Sequence, residues 1–224
     1  MIHFISSKDP QEGVAALSGK ISGYLNDGKK VLWLVCGGSN VPIAIEVMNA
    51  IRSSVSPERI SNLTVTQTDE RFGAVGHPDS NWQQMKEGGF DLDGVTTLPI
   101  LTGLPLGETV TRYSDVIEKA FEENEVRIGQ FGMGTDGHIA GLVPHSPALY
   151  AAGHAAEHTD ENFTRVTVTP VMFESLTAAY AFVFGASKRE AVLNLKNKEL
   201  SLDDQPAQLL KVVEEVWFYS DVLG

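Results

Sequence analysis

Cysteine is almost absent from this sequence, since Cys36 is the single example among 224 residues. One cysteine cannot close an intramolecular disulfide, and Cys36 has no second Cys or His at the spacing of a zinc ligand set. Its simplest interpretation is a small apolar residue at the end of a buried strand. No other cluster of His and carboxylate residues has ligand spacing, so we expect no metal and no other cofactor.

Long apolar runs are also missing. No segment has the roughly 18 consecutive apolar residues that a membrane helix needs, and no basic region precedes an apolar stretch of signal-peptide length at the N-terminus. We therefore expect a soluble, cytoplasmic protein that has no membrane partner.

Basic residues are scarce as well, with 17 Lys and Arg against 29 Asp and Glu and a formal net charge of -12. This charge repels a nucleic-acid backbone over most of the surface, so we expect no nucleic-acid partner. A small anionic ligand is compatible with it, provided that several cations gather at one place. The positions of the few Lys and Arg residues are therefore informative.

What the sequence does contain is a regular alternation of strand and helix patterns. Residues 31–36 form a short apolar run that is typical of a buried parallel strand, and two glycines follow it directly. Pro42 then stands where a helix begins, and the apolar residues after it predict a helix to about Arg52. Similar patterns predict strands over 63–67, 126–133, 165–169, 178–184 and 212–219, and helices over 106–123 and 187–197.

This alternation predicts one α/β domain over residues 1–224, whose doubly wound, mostly parallel sheet is covered by helices on both faces. Segment 151–162 fits neither pattern and is predicted to be an exposed excursion. Strand order and oligomeric state, a monomer or a small homo-oligomer, stay open. Ligands of such sheets bind beyond the carboxyl ends of the strands, which is where the segments rich in Gly, Asp and His fall.

Two segments after predicted strands carry candidate binding groups. Residues 37–40, Gly-Gly-Ser-Asn, would leave N–H groups free at a helix N-terminus, which favours phosphate; a tight turn chosen for its glycines is the alternative. The second segment follows the strand predicted at 63–67 and begins with Asp69-Glu70-Arg71, in which Arg71 could clamp a phosphate or form a surface ion pair. The polar loop 77–81 has groups that position a ligand, or that cap a helix through Asp79 or Ser80.

The most specific segment is 132–138, Gly-Met-Gly-Thr-Asp-Gly-His. A histidine on a glycine-lined turn can act as a general base, because glycines let a substrate approach and an acid can fix the tautomer of the imidazole. A lone histidine is usually structural, but His138 has no obvious core role among three glycines at the end of a strand. The sequence leaves open which acid contacts His138.

Together with residues 165–169, these segments occur in the order and spacing of the 6-phosphogluconolactonase family, which the chain resembles over nearly its whole length. The resemblance implies a Rossmann-like domain and hydrolysis of a phosphosugar lactone, first of all 6-phosphogluconolactone. It implies that His138 activates the attacking water and that Asp136 helps to position it. It also implies a substrate and phosphate site formed by Gly38, Ser39, Asp69, Arg71 and Arg165, together with Lys188 at the start of the helix predicted at 187–197.

Other interpretations stay open. Ile139 and Ala140 resemble the related glucosamine-6-phosphate deaminases, but the resemblance implies that those enzymes carry a glutamate at the position of Val143 and usually a tyrosine at that of Arg71. The missing glutamate makes a deaminase the second candidate. A non-catalytic sugar-phosphate-binding domain is the third, although the chain has no spare basic segment for the helix-turn-helix of such regulators. For Lys188, a solvent-facing position on a helix is the alternative.

Overall fold

The computed structural model describes residues 1–223 and contains two β-sheets. The strands are β1 (Ile2–Ser6), β2 (Val31–Val35), β3 (Leu63–Gln67), β4 (Asp69–Arg71), β5 (Thr96–Leu98), β6 (Val126–Phe131), β7 (Ala155–Thr159), β8 (Thr164–Val168), β9 (Ala178–Phe182) and β10 (Val216–Ser220). The α-helices are α1 (Gln11–Asn26), α2 (Val41–Ser54), α3 (Pro57–Ile60), α4 (Asn81–Glu87), α5 (Leu106–Glu123) and α6 (Arg189–Asn197).

The larger sheet has seven strands in the order β1-β10-β9-β6-β2-β3-β5, and every neighbouring pair is parallel. From β2 the chain moves outward through β3 to β5 and then returns to β6 on the other side of β2. A reversal of this kind creates the crevice in which doubly wound sheets bind their ligands.

Helices cover both faces of this sheet. All five residues of β2 are buried, which explains its continuous apolar run. Successive side chains of a strand point to opposite faces. Trp33 packs in one cluster with residues of α1, α2 and α4, whereas Leu32 and Leu34 pack in a second cluster with residues of α5 and α6. The predicted doubly wound, mostly parallel α/β fold is therefore confirmed.

The smaller sheet is antiparallel and has β8 between β4 and β7. The strand predicted at 165–169 lies here as β8, outside the parallel sheet. The prediction of an exposed excursion at 151–162 is wrong for the middle of this segment, because β7 pairs there with β8. This pairing buries Ala155 and Ala156 in the same cluster as residues of α5. A short strand has little signal of its own and depends on its partner.

The other helices and strands differ in how well their local sequence patterns predict their bounds. α5 has the predicted bounds, whereas the last strand begins at Val216 because Pro206–Val212 forms a 3₁₀ helix. β1 and α1 are absent from the predicted elements, although the spacing of the buried residues Val14, Leu17 and Ile21 is helical. None of the helices within residues 1–223 combines the length and the apolar character needed to cross a bilayer.

Candidate active site

A cleft of about 290 Å³ opens beyond the carboxyl ends of β2 and β6, where the strand order of the larger sheet reverses. Its walls come from the segments after these strands, from β4 and β8 of the smaller sheet, and from the segment after β9. Most of the predicted site residues line the cleft: Gly38, Ser39, Asp69, Arg71, His138, Arg165 and Lys188. The remaining one, Asp136, contacts His138.

Residues 132–138, here called the histidine turn, directly follow β6. Two backbone hydrogen bonds close the turn: the N–H of Gly134 donates to the carbonyl of His138 at 3.0 Å, and the N–H of Gly137 donates to the carbonyl of Gly134 at 3.1 Å. A Cβ atom at Gly134 would collide with the side chains of both His138 and Asp136. Only glycine therefore allows the close packing that orients these two side chains.

Asp136 holds the imidazole of His138. Its Oδ1 lies 2.7 Å from Nδ1 and 3.1 Å from the backbone nitrogen of His138. Partial burial works against ionisation of Asp136, but the hydrogen bonds and the charge of His138 outweigh burial and lower the pKa of the carboxyl. A carboxylate at Nδ1 favours the tautomer that is protonated there, which leaves Nε2 as a proton acceptor. Asp136 is thus the acid that the sequence left unidentified.

Arg71 on β4 and Arg165 on β8, here called the arginine pair, are directly opposite in the antiparallel register. Opposite residues project on one face of a sheet, and both of these line the cleft. Nη1 of Arg71 donates to the carbonyl of Asp79 at 2.8 Å, and Nη1 of Arg165 forms an ion pair with Asp160. Burial lowers the pKa of Arg165; the charge of Asp69 opposes this shift and that of Arg71 adds to it.

Asp69 lies two residues before Arg71 on β4 and therefore projects on the same face. The residue is 7% exposed, and its Oδ1 accepts a hydrogen bond from the hydroxyl of Thr68 at 3.1 Å. Burial raises the pKa of Asp69, while the charge of Arg71 acts against that shift. The cleft thus places a buried acid beside the arginine pair.

Glu70 projects on the opposite face of β4 and is fully buried. Its carboxylate accepts hydrogen bonds from the hydroxyl of Ser80 at 2.9 Å and from the backbone N–H groups of Asn81 and Trp82 at 2.7 and 3.0 Å. Ser80 also accepts from the N–H of Gln83, which confirms it as the N-cap of α4. Glu70 therefore ties α4 to β4 and supports the strand that carries Arg71.

Gly38 and Ser39 begin a 3₁₀ turn, Gly38–Asn40, that runs into α2. The first N–H groups of a helix have no acceptor within it, and those of Gly38 and Ser39 find no backbone acceptor elsewhere in residues 1–223. Gly38 has a φ of 62°, a conformation that favours glycine. Asn40 is buried and donates to the carbonyl of Phe182 at 3.3 Å, which anchors the turn to β9.

Lys188 reaches the cleft from the 3₁₀ turn Ala186–Lys188, between β9 and α6. The residue is half-buried, and burial lowers the pKa of its ammonium group while Cys36 and Asp221 act against the shift. Over the described range 1–223, Lys188 forms no ion pair. A third cation beside the arginine pair makes this end of the cleft suitable for an anion.

Sequence reasoning missed several residues that line the cleft. Asn81 is 1% exposed, and its Oδ1 has no hydrogen-bond partner among residues 1–223; the polar loop 77–81 is the one signal that points to it. Ala140 has a positive φ of 53°, which an alanine does not reveal in a sequence. Cys36 is buried as expected, and burial raises the pKa of its thiol.

Known proteins share both the sequence pattern and the fold. A family profile described as glucosamine-6-phosphate isomerases/6-phosphogluconolactonase matches residues 9–218. The chain is 27% identical over 171 residues to a 6-phosphogluconolactonase of Synechocystis sp., with 70% of each chain covered. It is 30% identical over 146 residues to a glucosamine-6-phosphate deaminase of Lactobacillus johnsonii, with 64% of this chain and 57% of the relative covered. A solved 6-phosphogluconolactonase from Shewanella baltica has the same fold, with a TM-score of 0.82, 18% identity and 98% of each chain covered.

Proposed function

The chain belongs to the family of glucosamine-6-phosphate isomerases and 6-phosphogluconolactonases, and we propose that it hydrolyses 6-phosphoglucono-1,5-lactone to 6-phosphogluconate. One observation carries the proposal: the paired His138 and Asp136 meet three cations, Arg71, Arg165 and Lys188, at a single cleft. The histidine supplies a base for the attack of water, and the cations suit the phosphate of the substrate.

In the proposed reaction, Nε2 of His138 takes a proton from water as the water oxygen attacks the lactone carbonyl. The bond between the carbonyl carbon and the ring oxygen then breaks, and the imidazolium gives the proton to the departing oxygen. A neutral imidazole accepts a proton and the imidazolium donates one, so a single histidine can perform both transfers. The carboxylate of Asp136 keeps the imidazole oriented and stabilises the imidazolium, so it acts on the histidine rather than on the water.

Binding of the substrate is assigned to the cations and to the turn before α2. The arginine pair and Lys188 bind the phosphate, because guanidinium groups match its geometry and charge. The N–H groups of Gly38 and Ser39 add donors at the start of α2, where the helix dipole favours an anion. Asp69 remains on the same face as an acceptor for a sugar hydroxyl.

The proposed reaction proceeds without a metal ion. A lactone is an activated ester, so attack by water with base assistance does not require a Lewis acid. Across residues 1–223, no three His, Cys, Asp or Glu side chains converge as a metal site requires.

The second candidate function is deamination of glucosamine 6-phosphate, which the similarity to the Lactobacillus johnsonii deaminase favours. Val143, at the position where the deaminases are expected to carry a glutamate, supplies no carboxylate for the proton transfers of ring opening. The lactonase reaction needs no acid there, and we therefore place it first.

A parallel assay separates the candidates. The protein is given freshly made 6-phosphogluconolactone or glucosamine 6-phosphate, each with and without EDTA. We expect the lactone to disappear faster than its spontaneous hydrolysis, equally with EDTA, and no ammonia to be released from the amino sugar. Ammonia release without lactone hydrolysis would identify a deaminase, and binding of both compounds without turnover would identify a non-catalytic domain. Unphosphorylated gluconolactone is the matched substrate, and an equal kcat/KM for it would refute the phosphate site.

A further inference from the structure

The ring of Phe163 contacts both guanidinium groups of the arginine pair. Its centroid lies 5.2 Å from Cζ of Arg71 and 5.3 Å from Cζ of Arg165. Both distances are within the roughly 6 Å over which the face of an aromatic ring attracts a cation. Phe163 itself is outside the set of residues that line the cleft. The contacts of its ring are with two side chains that would bind the substrate.

The register of the smaller sheet explains this arrangement. Phe163 directly precedes β8 and lies two residues before Arg165, so both side chains project on one face. Arg71 is opposite Arg165 and hence diagonal to Phe163, a separation that aromatic and long side chains can bridge. Asp160 fixes the turn between β7 and β8, because its Oδ1 accepts from the N–H of Phe163 at 2.9 Å while its Oδ2 pairs with Arg165.

Holding two guanidinium groups side by side in the absence of an anion has two free-energy costs. Their charges repel each other, and each long side chain loses rotamer freedom when it is fixed. An aromatic ring that attracts both groups offsets part of the repulsion and restricts both side chains in advance. Such preorganisation lowers the entropy cost of binding.

We infer that Phe163 is a positioning residue that holds Arg71 and Arg165 together as a clamp for the phosphate group of the substrate. The identity of the substrate rests on the proposed function, whereas the clamp rests on the geometry of the ring and the two guanidinium groups. The ring acts on binding. Its loss should therefore weaken the binding of the substrate and of the transition state by the same amount and leave kcat nearly unchanged.

The test compares Phe163→Leu and Phe163→Tyr with the wild type. Loss of two cation–π contacts in Phe163→Leu should raise KM for the lactone, and Kd for inorganic phosphate, by about 5- to 30-fold. Phe163→Tyr keeps the ring face and should restore both constants. Initial rates give KM and kcat, and calorimetric or NMR titration with inorganic phosphate gives Kd without any turnover.

Phe4→Leu is the matched control. Phe4 is also half-buried, its ring centroid lies 5.7 Å from Nζ of Lys196, and it is remote from the residues that line the cleft. Phe4→Leu should lose a similar cation–π contact without changing KM for the lactone or Kd for inorganic phosphate. Phe163→Met provides a second variant without a ring if Phe163→Leu does not fold, as judged by circular dichroism.

A folded variant that lacks the ring and binds inorganic phosphate as the wild type does would overturn the clamp. A fall in kcat with unchanged KM would also overturn it. If phosphate binding depends on the ring but the lactone is not hydrolysed, the clamp stands and the proposed function fails.

Discussion

The histidine turn and the arginine pair face the same cleft but are assembled over different distances in the sequence. Asp136 and His138 are two residues apart in one loop, and local backbone geometry is enough to bring them together. Arg71 and Arg165 belong to separate strands and meet because β4 and β8 pair in one register. A slip of one residue would turn either arginine to the other face, so this part of the site depends on the whole sheet.

Burial also separates the two groups. The side chains of His138 and Asp136 are 41% and 48% exposed, whereas those of Arg165 and its partner Asp160 are 16% and 24% exposed. Substitutions in the histidine turn should therefore change the chemical step with little effect on folding. Substitutions of residues that form or support the arginine side of the cleft should change stability or binding.

The largest expected effect is that of His138→Ala. Removal of a positioned general base typically reduces the rate by about 10² to 10⁴, and KM should stay near its wild-type value because the phosphate contacts are intact. Steady-state kinetics, corrected for spontaneous hydrolysis and combined with a thermal melt, measures both. His154→Ala, outside the cleft, is the control. A stable His138→Ala protein with near-normal kcat would refute the assigned base.

Glu70→Ala tests the support beneath the arginine pair. It leaves several buried donors without their charged acceptor, so the free energy of unfolding should fall by on the order of 3 kcal/mol. Urea denaturation measures the change. Glu70→Gln keeps the shape and one acceptor oxygen and should lose less. Wild-type stability in Glu70→Ala would show that α4 is not held through this carboxylate.

Lys188→Ala should have a smaller effect, confined to binding. Loss of one charged contact to the phosphate should raise KM by about 10-fold with kcat little changed, since the contact is equal in the ground and transition states. Lys196→Ala removes a charge from α6 away from the cleft and controls for the general change in charge. An unchanged KM in Lys188→Ala would remove this residue from the site.

The smallest expected effect is a change in the pH dependence of stability on the histidine side. The pKa of Asp136 lies below its ordinary value of 3.8 in the folded protein, so its carboxylate stabilises the fold above that value, and this contribution is lost as the pH falls through the lowered pKa. Asp136→Asn should therefore melt below the wild type at neutral pH, and the difference in Tm should close in acid. Asp115→Asn, at an exposed position of α5, is the control. A difference that persists unchanged below the lowered pKa would contradict the ionic contact.

Particular elements show how far sequence reasoning reaches. β3 has the predicted bounds because Leu63 and Val65 alternate with β-branched threonines, a pattern typical of strands, and α5 has them because one apolar face repeats along it. β7 does not follow from its own sequence, since two adjacent alanines are followed by three polar residues and the strand exists through its pairing with β8. The predicted site residues come together at one cleft, while their chemical roles stay predictions.

The sequence by itself determined the alternation of strands and helices, the scarcity of cations and the glycines that make the histidine turn possible. Tertiary structure alone decided that Arg71 meets Arg165, that Glu70 turns inward while Arg71 faces the cleft, and that Phe163 contacts both arginines. Local conformational preferences act over a few residues and are visible in the chain. The register between distant strands is set by the hydrogen bonds and burial of the complete sheet, which no single segment contains.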